Sequence, residues 1–174
     1  RGQDVLLMSE PVDPFFIEAM REYKGKQFKA VDKGAVDSEE EETEESKAAE
    51  KPYKKLLKSL NKKIDEVKDI RISKRLKESA ACLVADKDQM NAQMQRIMKN
   101  FGQADESPRI LELNPEHPAV KTMLTLYEDN PRSKNVEEFG RLFYDQALIA
   151  EGSKIKDPAA FAKRINTLIA NSGK

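Results

Sequence analysis

The chain has 174 residues, 36% of them charged, and its 31 basic residues are balanced by 31 acidic ones. A net charge of zero supplies no long-range pull on phosphate backbones, so no nucleic-acid partner is expected. No apolar run approaches the roughly 20 residues needed to cross a bilayer, so no membrane partner is expected either.

In chain order, Arg1-Gly2-Gln3-Asp4 has neither an initiator Met nor the apolar core of a signal peptide, which reads as a fragment of a longer cytoplasmic protein. Val5-Leu6-Leu7-Met8 is a short continuous apolar run, as in a strand buried on both faces. Asp13 before Pro14 reads as an N-cap and a first helical residue, with Phe16, Ile17 and Met20 following at helical spacing. Lys24-Gly25-Lys26 reads as a turn and Phe28 to Val31 as a second strand. Residues 1–34 thus read as a β-α-β remnant of an α/β domain, too small to bury its own faces. Residues 35–50 read as an acidic linker, because Glu39-Glu40-Glu41-Glu42-Thr43-Glu44-Glu45 repels itself and carries almost nothing to bury.

Residues 51–174 carry the pattern of a folded domain. Tyr53, Leu56, Leu57, Leu60, Ile64 and Val67 line one face of a helix. Ile70-Arg71-Ile72 alternates as a half-buried strand does, while Ala81-Cys82-Leu83-Val84 and Ile110-Leu111-Glu112-Leu113 read as strands with fuller burial. A helix is expected from about Asp86 to Phe101, closed by Gly102. Val120, Met123, Leu124 and Tyr127 form the stripe of a further helix, which Asn130-Pro131 ends. Asn135 with Glu138 resembles a capping box for the next, which carries Phe139, Leu142, Phe143, Ala147 and Leu148 and stops at Gly152. Asp157-Pro158 starts the last, with Phe161, Ile165, Leu168 and Ile169 on one face. Strands and helices segregate towards the end, which predicts an α+β fold on a small three-stranded antiparallel sheet.

The inventory for catalysis is thin. His117 and Cys82 are the only residues of their types and lie far apart, so no triad and no metal cluster is expected. Both read as structural, Cys82 as an inert buried thiol. No Gly-rich phosphate loop is present, and no cofactor is expected in this fragment. Lys51, Lys54, Lys55, Lys58, Lys62 and Lys63 read as a solvated face rather than a nucleic-acid site. Met90, Met94, Ile97, Met98 and Phe101 fall on one stripe that is either core-facing or an adaptable, exposed binding face. The last two helices form a hairpin that either folds back on its own sheet or pairs with a twofold mate as a four-helix bundle.

Several segments resemble the heat-shock protein 90 family. Leu113-Asn114-Pro115-Glu116-His117-Pro118 is similar to its hallmark "EINPDHP", with Leu113 for Ile and Glu116 for Asp. Ser73-Lys74-Arg75-Leu76 through Ser79-Ala80-Ala81-Cys82-Leu83-Val84 resembles its "S-x-RL…SPA-x-(I/L)V" stretch, with Ala80 for Pro. Met94-Gln95-Arg96-Ile97-Met98-Lys99 resembles "MERIMK", and Leu142 to Gly152 the helix "L-x-(D/E)-x-AL-(I/L)…G". Asp157-Pro158 with Phe161 and Arg164-Ile165-Asn166 resembles "DP-x-x-F-x-x-R-(I/L)-N". The opening Val5-Leu6-Leu7 with Pro11-Val12-Asp13 is similar to the end of the family's middle domain.

The resemblance implies the C-terminal dimerisation domain (51–174) of a bacterial-type member, preceded by the end of the middle domain (1–34). It implies an ATP-driven chaperone acting as a homodimer on unfolded or partly folded clients, with ATP and magnesium bound in a domain outside this chain. Phe139, Leu142, Phe143, Leu148, Phe161, Ile165, Leu168 and Ile169 become the expected dimer interface, as a four-helix bundle. Met90, Met94, Ile97, Met98 and Phe101, with Phe15 and Phe16, become the expected client contacts. The chain ends Ala170-Asn171-Ser172-Gly173-Lys174 rather than in the acidic "MEEVD" of eukaryotic members, so no helical-repeat co-chaperone is expected there. The alternative from another class is a monomeric adaptor whose acidic run docks a basic partner.

Overall fold

A computed structural model of the chain describes residues 5–10, 12–28, 50–86, 89, 90, 94, 95, 97, 98, 101, 102 and 107–171. The acidic run Glu39–Glu45 lies outside them, as does nearly all of the expected linker.

In the first segment Asp13–Met20 forms α1. Pro14 sits in its first turn, where a missing N–H costs nothing. Val12 rather than Asp13 occupies the N-cap position, and the Asp13 carboxylate accepts a hydrogen bond from the Glu10 N–H at 2.9 Å. β1 (Glu22–Tyr23) and β2 (Lys26–Gln27) pair antiparallel across Lys24-Gly25. Both loop residues have positive φ, 50° and 76°, the turn geometry that matches the twist of paired strands and favours Gly at its second place. The described residues of this segment form a helix followed by a hairpin. A strand exists by pairing, and Val5–Met8 and Phe28 stand in no strand; residues 29–31 lie outside the described ones.

In the second segment Lys54–Asn61 forms α2, burying Leu56 and Leu60 completely at 0% exposure. Each such burial contributes about 1.5–3 kcal/mol. The helix is shorter than the apolar spacing predicts. The chain tightens as Lys63 donates to the Leu60 carbonyl at 2.9 Å, so Ile64 and Val67 enter the core from a loop. Asn61 Nδ2 then donates to Asp69 Oδ1 at 2.8 Å and sets the return into the sheet.

The sheet contains β3 (Asp69–Ile72), β4 (Ala81–Val84) and β5 (Ile110–Leu113), in the order β3-β5-β4. β4 pairs with β5 antiparallel, as expected, but β3 runs parallel to it. The all-antiparallel expectation is corrected because β3 and β4, neighbours in sequence, do not pair and β5 inserts between them. The registers place Ile70, Ile72, Leu111, Leu113, Ala81 and Leu83 on one face and Arg71, Glu112 and Cys82 on the other. The first face joins the main core with Leu56 and Leu60.

Between β4 and β5, Met94, Gln95, Ile97 and Met98 are helical, and Gly102 takes φ 76°. The helix does not begin near Asp86 as predicted, since Gln89 and Met90 are not helical. The Gln89 N–H donates to the Asp86 carbonyl at 3.0 Å and closes a turn there.

α3 (Pro118–Asp129) buries Val120 and Met123 and is capped by His117, whose Nδ1 accepts from the Ala119 N–H at 3.2 Å. α4 (Lys134–Ala150) is capped by Ser133, which accepts from the Asn135 N–H at 3.2 Å. The predicted cap at Asn135 is thus displaced by a serine two residues earlier. Gly152, at φ 80°, follows the end of α4. α5 (Pro158–Asn171) opens with Asp157 Oδ1 accepting from the Ala160 N–H at 2.9 Å.

At Gly140, α4 packs against Leu60 of α2 and Ile64 just beyond it. A Cβ there would stand 2.7 Å from Ile64 Cδ1 and 2.8 Å from Leu60 Cδ2. Both methyls belong to side chains buried almost completely, so neither has room to withdraw. Gly140→Ala would gain about 1 kcal/mol of helix propensity against roughly 1–3 kcal/mol of overpacking. The expected outcome in urea denaturation is a net loss of up to about 2 kcal/mol, and a stabilised variant would show that Leu60 and Ile64 repack freely.

Candidate functional site

The hairpin of α4 and α5 separates two kinds of apolar residue. Leu142, Phe143 and Leu148 are buried within the single chain, and Phe143 and Leu148 belong to its main core. Phe139 is half-buried against that core, its ring 6.2 Å from that of Phe143. On α5 no residue is buried. Phe161, Ile165 and Leu168 are half-buried and Ile169 is 65% exposed. α5 is pinned to α4 by Arg164, whose Nε donates to Glu138 at 2.8 Å and whose Nη1 donates to Asp145 at 2.9 Å. Burial pushes the Asp145 carboxyl above the usual carboxylate range while Arg164 pulls it down. Sequence reasoning missed this clamp, although Glu138 and Asp145 stand two helical turns apart on one side of α4.

The Met stripe is divided as well. Met94 is buried at 9% exposure, whereas Met90 is 40% and Phe101 77% exposed. Ile97 and Met98 lie between these extremes. Met94 is an anchor, and Met90 and Phe101 are free to meet another surface. Phe15 and Phe16 are exposed on α1, among the exposed Val5, Leu6, Leu7 and Val12.

A second feature missed in the sequence lies on the polar face of the sheet. Glu112, in the middle of central β5, is completely buried. Arg71 donates to its Oε1 at 3.1 and 2.5 Å from Nε and Nη2. Arg75 Nε and Ser73 Oγ donate to Oε2 at 3.0 and 3.1 Å. Cys82 stands beside this carboxylate, its Sγ 3.8 Å from Oε2 and 3.5 Å from Arg75 Nη2. Burial pushes the Cys82 thiol up to about 11, with Arg75 acting in the opposite direction, so it stays protonated at neutral pH and is a poor nucleophile. The visible signal was a charged residue at the alternate place of two otherwise apolar strands, Ile-Arg-Ile and Leu-Glu-Leu.

The Asn114–Pro118 motif performs local structural work. Asn114, itself buried, donates through Nδ2 to the carbonyls of Lys77 and Ser79 at 3.0 and 3.1 Å, and accepts from the Glu116 N–H at 3.0 Å. Tyr53 donates its hydroxyl proton to the Pro115 carbonyl at 2.9 Å. His117, as the α3 cap, uses its ring nitrogen on the backbone. Among the described residues no group of three or more His, Cys, Asp or Glu is arranged to hold a metal ion. Among them, too, no helix is long and apolar enough to cross a membrane.

Residues 1–173 match the family described as Hsp90 protein. The chain is 42% identical over 181 residues to the chaperone protein HtpG of Geobacter sulfurreducens, covering 100% of this chain and 28% of that protein. It is 42% identical over 178 residues to HtpG of Geobacter metallireducens, covering 98% and 27%. It is 41% identical over 172 residues to HtpG of Vesicomyosocius okutanii, covering 95% and 26%. The chain therefore spans about a quarter of the length of the curated relatives it matches, and over nearly all of its own length it belongs to the Hsp90 family.

Proposed function

We propose that the chain is the C-terminal dimerisation portion, with the end of the middle domain, of an ATP-driven cytoplasmic chaperone of the HtpG type. Two copies pair through their α4–α5 hairpins as a four-helix bundle. ATP and magnesium act in a domain elsewhere in the whole protein, and unfolded or partly folded clients meet the Met-rich helix. The observation that carries this reading is α5: a 14-residue helix with four large apolar residues at helical spacing and none of them buried. Apolar surface of this kind is costly to leave in water without a partner. The order of the family-like segments along the chain supports the C-terminal placement.

The division within the hairpin narrows the interface to Phe161, Ile165, Leu168 and Ile169, with Phe139 and the exposed Ile149 beside them. Leu142, Phe143 and Leu148 support it from beneath. Among the proposed client contacts, Met90, Phe101, Phe15 and Phe16 supply exposed apolar surface, while Met94 holds the helix in place. Tethering two chains at one end makes the meeting of the remaining domains an intramolecular event at high effective concentration. A permanent pair of this type buries about 1,600 Å² or more. Light scattering on a sizing column tests the reading: the expected mass is near twice 19.8 kDa and persists on dilution. A clean monomer at micromolar concentration would overturn it.

A further inference from the structure

α2 has a second face that dimerisation and client binding leave unused. Opposite the buried Leu56 and Leu60, a 100° step per residue sets Lys54 and Lys58 in one row with Lys55 alongside, and Lys51 and Lys62 stand in the turns just before and just after the helix. All five are exposed. No Asp or Glu occurs from Lys51 to Ile64, and of the neighbouring lysines Lys63 pairs with Glu137 at 3.8 Å. Like charges four residues apart weaken a helix, so the row burdens α2 in a chain whose net charge is zero.

We propose that this face docks an extended acidic segment of another protein. Lys54 and Lys58 are about 6 Å apart along the helix, with Lys62 following at its C-cap, and alternate residues of an extended chain repeat at about 6.7 Å. Glutamates at every second position of a strand-like segment therefore fall opposite successive lysines. The one aromatic residue of the segment, Tyr53, is buried with its hydroxyl on Pro115, so bases find nothing to stack on. No large apolar residue between Lys51 and Lys62 is exposed to enter a membrane.

The probe is a fluorescein-labelled peptide of about ten glutamates, titrated with the whole chain at low salt and followed by anisotropy. Lys54→Gln with Lys58→Gln and Lys62→Gln is expected to weaken binding at least tenfold. Lys134→Gln with Lys154→Gln and Lys156→Gln, also exposed, leaves it unchanged. Raising salt from about 50 to 300 mM weakens the wild-type complex about tenfold, as screening requires. All six lysines are exposed, so circular dichroism melts of both triple variants should match the wild type. Equal losses in the two triples, or no binding at all, would overturn the proposal. So would binding that appears only after Glu39–Glu45 are changed to Gln, which would mean that the chain's own run holds the face. Tighter binding of a DNA duplex or of phosphatidylserine vesicles to the same lysines would overturn it in favour of those partners.

Discussion

Leu168→Glu with Ile169→Glu converts the proposed dimer to monomers and leaves the thermal unfolding of each chain within a few degrees of the wild type. Neither residue is buried in the single chain, so neither substitution opens a cavity or strands a charge in its core. In a twofold pair each change occurs twice, and four apolar side chains give way to four carboxylates at one seam. Central apolar anchors in such seams cost about 2 kcal/mol or more each when truncated, and like charges facing each other add to that. Affinity is therefore expected to fall by at least about a thousandfold, or about 4 kcal/mol, read by sizing mass across a dilution series. Leu142→Glu is the contrasting case. Leu142 is buried within one chain, so a carboxylate there is expected to unfold the monomer. A Leu168/Ile169 variant that remains dimeric on dilution would move the interface away from α5.

Glu112→Ala carries the largest expected effect on stability. Removing the carboxylate leaves Arg71, Arg75 and Ser73 facing an empty site at the centre of the sheet. Breaking one partner out of a buried ionic network costs roughly 3–5 kcal/mol, a large share of the 5–15 kcal/mol that holds a typical domain. Urea denaturation should show the midpoint fall accordingly. Replacing the charges together, with Glu112→Leu, Arg71→Met and Arg75→Met, is expected to recover most of the loss, because the carboxylate and the two guanidinium groups that face it are removed together. A single variant that loses under 1 kcal/mol would mean that water or neighbouring groups replace the carboxylate at no net penalty.

Much of the fold was legible where the signal is local. The spans of β4 and β5 follow from short apolar runs, and α3 from the prolines and asparagines at its ends. Asp157-Pro158 announces α5 because the cap and the first turn are adjacent in sequence. Relations between distant segments were not legible. The parallel pairing of β3 with β5 depends on which strand fills the slot between β3 and β4, and apolar runs carry no direction. Glu112 read as an ordinary strand residue because its partners stand 37 to 41 positions away. Leu142 and Leu168 share a pattern but not an environment. Helical spacing shows that a face is apolar, and only the packed chain shows which apolar faces are already covered.

The placement of β5 between β3 and β4 has a consequence during synthesis. The strand that arrives last in the chain is central in space, so β3 and β4 both wait for it with open edges. From Val84, where β4 ends, to Leu113 the ribosome must add 29 residues, which takes about 1.5–6 s at roughly 5–20 residues per second. For that interval the nascent chain presents a vacant strand-shaped slot lined by Ile70, Ile72, Ala81 and Leu83, which any other extended apolar segment can fill. A protein of a chaperone family thus passes through a brief stage in which its own sheet is a substrate for the assistance that such proteins give.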